Sequence, residues 1–74
     1  MRIVLIGLHK DAVLKTHTAN ATISVQVVEG KINFHAGENQ VVLSKHQMIT
    51  LQPNIPHGAS ASEESFFLLT LALR

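Results

Sequence analysis

The chain contains no cysteine, tryptophan or tyrosine, only three phenylalanines and two prolines, and little charge: 15% of its 74 residues are Asp, Glu, Lys or Arg. Each shortage removes a class of protein. Without cysteine there are no disulfides and no thiolate metal ligands, and nothing is said about redox compartment. Six Lys and Arg against five Asp and Glu give a net charge of +1 with no basic cluster, so a phosphate-backbone footprint is missing and no nucleic-acid partner is expected. Three Phe do not make a base-stacking platform. No apolar run approaches the roughly 20 residues that cross a bilayer, so no membrane partner is expected either. Met1 to Leu8, MRIVLIGL, lacks the length, charged flank and cleavage pattern of a signal peptide. The expected location is cytoplasmic, and a Met1 that runs straight into a strand suits a native start.

What remains is one small domain with 46% apolar residues. A domain of this size buries only about 60% of the surface of its unfolded chain. Its core therefore needs reinforcement, from a histidine-bound metal or from an oligomer, and the apolar content favours the oligomer.

Ala21 to Glu29 carries the clearest pattern. Ile23, Val25 and Val27 alternate with Thr22, Ser24 and Gln26, the period of two of a half-buried strand. Glu29-Gly30 turns the chain, and Ile32, Phe34 and Ala36 then alternate with Lys31, Asn33 and His35, which predicts a hairpin. Arg2 to Leu8 is a β-branched apolar run without polar alternation, expected to be a strand buried on both faces. Ala12 to Thr16, Gln40 to Ser44 and Met48 to Gln52 are further short strands between turns. Pro53 and Pro56 each remove a ladder donor and make a stiff bend before His57. Ser60 to Ser65 reads as a polar loop, and Phe66 to Leu73, FFLLTLAL, as a last strand in preference to a short helix. About seven strands with closely spaced turns predict an all-β antiparallel barrel or sandwich. The apolar first and last strands offer more hydrophobic surface than one small interior covers, so a homodimer through the terminal strands is expected.

From Ala12 to Leu73 the sequence resembles a small single-domain cupin of the conserved-barrel type. VVEGKINF and ITLQPNIPH carry the likeness, which implies a small antiparallel β-barrel of jelly-roll form. Metal-binding cupins hold their ion with two histidines and a glutamate from a first motif and a histidine from a second. Setting the closing glycine of the first motif at Gly30 places its histidines at His17 and Ala19 and its glutamate at Ile23. Setting the histidine of the second motif at His57 places its leading glycine at His46, its proline at Gln52, its inner glycine at Asn54 and its final asparagine at Ala61. Asn54 suits its place, because Asn tolerates a left-handed backbone. Ala19 and Ile23 ligate nothing. The resemblance thus implies at most a two-histidine metal site, His17 and His57, short of the three protein ligands of catalytic metal centres.

His17 and His57 are therefore the remnant of a metal site, polar handles in a ligand pocket, or strand-end residues. Ile23, Val25, Val27, Ile32 and Phe34 line the barrel interior, as core and as the wall of any pocket. His35, His46 and His9 read as solvated surface residues. No two glutamates make an acid/base pair, no nucleophile is arranged, and only His17 or His57 suggests a general base. The function expected is a small-molecule-binding or sensing barrel, with no metal cofactor in preference to a divalent ion. The alternative is a metal-dependent oxygenase or isomerase that adds a ligand such as His35 or His46 to His17 and His57. A third reading is an interaction protein whose hydrophobic ends pair with another chain.

Overall fold

The computed structural model describes residues 1–72 and consists of eight strands: β1 (Arg2–Leu8), β2 (Val13–His17), β3 (Thr22–Glu29), β4 (Lys31–Ala36), β5 (Asn39–Ser44), β6 (Met48–Leu51), β7 (His57–Ala61) and β8 (Ser65–Ala72). They form two four-stranded antiparallel sheets, in the orders β1-β8-β3-β6 and β2-β7-β4-β5. The two inner faces meet in one core. Ile23, Val25 and Val27 of β3, Ile32 and Phe34 of β4, and Phe67 of β8 are all at most 2% exposed. The period-two pattern is the cause: one face of each strand is apolar, and burying it against the facing sheet is the way to remove it from water.

The hairpin β3–β4 turns at Gly30, whose φ is +87°. A Cβ there would lie 2.5 Å from the Glu64 carbonyl oxygen, so only glycine fits both the backbone and the space. Ser65, fully buried, is the reason for the close approach. Its Oγ accepts from the Lys31 N–H at 3.0 Å and lies 2.7 Å from the Glu63 carbonyl, to which it donates. Asp11, His46 and Asn54 also have positive φ, of 69°, 74° and 65°. The left-handed backbone expected of Asn54 is observed, and His46, at a motif position for glycine, takes the conformation glycine would supply.

Three expectations are corrected. Arg2 to Leu8 is a strand, but within the chain it is buried on one face only: Val4, Ile6 and Leu8 turn inward, while Ile3 and Leu5 are 60% and 62% exposed. β1 lies at the edge of its sheet, and the facing sheet covers one side of it. Ser60 to Ser65 is not a loop throughout. β7 runs through Ser60 to Ala61, and Ser65 opens β8. The sequence HGASA hides a strand because its small residues lack β-branched bulk; pairing with β2 and β4 makes it one, and at Gly58 a Cβ would meet the His35 ring and the Leu14 carbonyl oxygen. Finally, the last strand begins at Ser65 rather than Phe66; Leu73, its expected end, lies outside the described residues.

Candidate functional site at the histidine end

The site is set by register. His17 closes β2, His57 opens β7, and the two are directly opposed in the β2–β7 ladder, next to an irregularity between Leu14 and His17. Their rings stand 4.4 Å apart, centroid to centroid, tilted by 60°. His57 is 3% exposed and stacks at 6.2 Å on Phe34; His17 is exposed. The pair therefore leads from solvent to the core. Two loops frame it. The bend Pro53–Pro56 is tied to the β2–β3 loop by the Asn54 N–H, which donates to the Ala19 carbonyl at 2.9 Å, and to the β4–β5 turn by the Gly37 N–H, which donates to the Pro56 carbonyl at 2.7 Å.

Both rings are oriented in the same way. His17 Nδ1 lies 2.9 Å from the Lys15 carbonyl oxygen, and His57 Nδ1 lies 2.9 Å from the Ile55 carbonyl oxygen. A carbonyl only accepts, so each Nδ1 carries a proton in this arrangement, and in the neutral form of either ring Nε2 is the acceptor. Every enclosed side-chain nitrogen and oxygen among the described residues has a hydrogen-bond partner. His57 Nε2 has no hydrogen-bond partner among the described residues, so it is not fully enclosed. The two imidazoles are thus neighbours at one end of the sandwich, each held by a carbonyl two residues back in its own chain segment.

The other histidines go elsewhere. His35 is on the outer face of its sheet, as expected, but it is half-buried rather than solvated. Its ring lies over Gly58, with Nε2 2.8 Å from Thr16 Oγ1. His46 is in the β5–β6 turn. His9 is exposed and faces Glu64 at 3.8 Å, at the opposite end of the sandwich. Among the described residues no three of His, Cys, Asp and Glu stand together as metal ligands. Ile23, at the motif's glutamate position, is 2% exposed core. The donor set does not fit a catalytic metal centre: two imidazoles meet, and neither His35 nor His46 is a third.

Ile23, Val25, Val27, Ile32 and Phe34 are packed core residues. A surface depression of about 150 Å³ lies at the far end, between Gly7, Leu8, His9, Glu64 and Phe66, and has no part in the histidine pair. The contact of the two rings depends on the strand irregularity and on the bend before His57. No sequence periodicity encodes either, although the cupin likeness does align the two residues.

No family model and no curated protein matches the sequence. Solved structures do. The chain is similar to a conserved protein of unknown function from Streptococcus pyogenes (21% identity, 97% of this chain and 63% of that one, TM-score 0.93). It is equally similar to an RmlC-like cupin from Shewanella frigidimarina (22%, 97% and 65%, TM-score 0.91). A cupin superfamily protein from Desulfitobacterium hafniense superposes as well at only 8% identity (97% and 66%, TM-score 0.93). This chain spans just under two thirds of the length of each. The fold is that of a small cupin domain, an all-β antiparallel barrel of jelly-roll form, and the expectation from the two motifs stands.

Proposed function

We propose that this chain is a small-molecule-binding or sensing barrel whose ligand docks at the mouth formed by His17 and His57. One observation carries the reading: the two rings are neighbours at 4.4 Å and both Nδ1 atoms are committed to backbone carbonyls, which leaves Nε2 of each ring for a ligand. A ligand that donates hydrogen bonds, such as a hydroxylated or amide-bearing small molecule, meets both acceptors while its apolar part lies against the rim of the core. The absence of any paired carboxylate or third metal-binding side chain beside them favours binding over chemistry.

Long-range ¹H–¹⁵N correlation of the imidazoles tests this directly. Both rings are expected as Nδ1–H tautomers, and a screen of small polar compounds should move the Nε2 resonances of His17 and His57 together. His57→Ala should abolish that response. Hits that leave both rings unmoved would remove the proposal.

A second reading, a metal-dependent cupin enzyme, is favoured by the same anchoring, because metal-ligating histidines carry such backbone bonds on the other ring nitrogen. Metal content separates the two. Protein prepared without chelator and challenged with zinc, iron, nickel and manganese should take up none stoichiometrically if the mouth is a binding site alone. Uptake that the double variant His17→Ala, His57→Ala loses would favour the enzyme.

A further inference from the structure

The irregularity in β2 decides which way His17 points. Leu14 opposes Ala59 and His17 opposes His57, so β2 takes three steps where β7 takes two. Lys15 and Thr16 together face Gly58. This is a β-bulge, and a bulge re-aims the side chains beyond it. Leu14 packs against the core. With regular alternation the next inward side chain would be Thr16, opposite His57, and His17 would turn to the outer face. The extra residue reverses this. His17 stands beside His57, their rings 4.4 Å apart, and Thr16 goes to the outer face.

There Thr16 meets His35. Phe34, its neighbour on β4, is buried in the core, so His35 points outward, and it is paired with Gly58 of β7. The ring lies over Gly58, where a Cβ would come 2.6 Å from His35 Cε1. Its Nε2 then reaches Thr16 Oγ1 at 2.8 Å. The bond runs from β4 across β7 to the bulge of β2, and the bare backbone of Gly58 leaves room for the crossing. A hydroxyl both donates and accepts, so it suits either tautomer of His35.

We infer that His35 is a positioning residue: through Thr16 it holds β2 in the bulged register and so keeps His17 aimed at His57. The bond belongs to one register only, because the unbulged strand carries Thr16 to the inner face, away from His35. A contact made in one state and not in the other shifts the balance toward the first. β2 has need of it, since it lies at the edge of its sheet and pairs on one side alone. The bond of His17 Nδ1 to the Lys15 carbonyl joins residues of the same segment, so it orients the ring without fixing the segment to the sheet. The inference deepens the reading of the histidine pair as the site and rests on it. Its test uses the protein without ligand, so the aim of His17 and the binding of a ligand can fail separately.

Nuclear Overhauser cross-peaks between the imidazole protons of His17 and His57 read this geometry in the whole chain. The wild type should show them. Thr16→Val keeps the branched shape and removes the hydroxyl, and His35→Ala removes the ring; each should lose the cross-peaks. Thr16→Ser, which restores the hydroxyl, should keep them. Both lossy variants alter side chains outside the core, so contacts of the paired Ile32 and Leu43 should stay as in the wild type. A wild type without the cross-peaks overturns the inference, as does their survival in either Thr16→Val or His35→Ala. Loss in Thr16→Ser overturns it too, because the hydroxyl would then not be the lock. Loss that comes only together with the Ile32–Leu43 contacts overturns it in favour of a general role in the fold.

Discussion

Gly30 and Ser65 show how much of this small domain rests on single positions. Gly30→Ala sets a Cβ against the Glu64 carbonyl at 2.5 Å while holding φ at +87°. The expected cost is roughly 2–4 kcal/mol, combining steric displacement with left-handed strain, read from urea unfolding. Ser65→Ala leaves the Lys31 N–H without its acceptor in a partly buried place, and about 1–3 kcal/mol should be lost. His46 gives the opposite sign. It is exposed with φ +74°, so His46→Gly should raise stability by up to roughly 1 kcal/mol by relieving that strain. A variant no more stable than wild type would mean that the loop holds His46 without strain.

Among the elements, β7 is the one that organises the site. It presents His57 to His17 on one side and Ala36 on the other, and Gly58 beneath the His35 ring. A Cβ at Gly58 would lie 2.6 Å from His35 Cε1 and 2.8 Å from the Leu14 carbonyl oxygen. The ring can move, but the carbonyl is part of the paired β2 backbone. Gly58→Ala should therefore destabilise by more than about 1 kcal/mol, and adding His35→Ala should recover only part of the loss. Full recovery in that double-mutant cycle would show that the ring alone sets the constraint. β8 contributes differently, through Phe67, which is 1% exposed between β1 and β3. Phe67→Ala should cost about 3–5 kcal/mol, enough to unfold a marginal domain, whereas its neighbour Phe66 lies on the outer face, 43% exposed, and its replacement by Ala should cost the fold less.

For the whole molecule, stability and association are linked. If two chains pair through the terminal strands, unfolding must also separate them, and the melting temperature should rise with protein concentration. Leu5→Lys should remove that dependence. A wild-type melting temperature that does not change between micromolar and millimolar protein would argue against that pairing. His17 and His57 lie at strand ends, away from Leu5, so any response of the two rings to a small molecule should persist in Leu5→Lys.

The alternation of Thr22 to Ala36, the turn at Gly30 and the bend at Pro53 to Pro56 were legible from residue order, because strand period and turn chemistry are local properties. The left-handed place of Asn54 was legible for the same reason. β7 was not: His57-Gly58-Ala59-Ser60-Ala61 has little strand propensity, and it is a strand because its backbone pairs with β2 on one side and β4 on the other. The one-sided burial of Arg2 to Leu8 also depended on the two-layer packing, in which each sheet has one facing sheet and one open side, and composition does not reveal that. The likeness of motifs aligned His17 with His57 without bringing their rings together. Their opposition and the place of His35 over Gly58 follow from long-range register, whereas each Nδ1 anchor is a local bond to a carbonyl two residues back. Sequence by itself determined the cupin scaffold, since patterning selects which faces are buried. Tertiary structure decided which histidines meet, since the approach of side chains depends on how separate strands are paired.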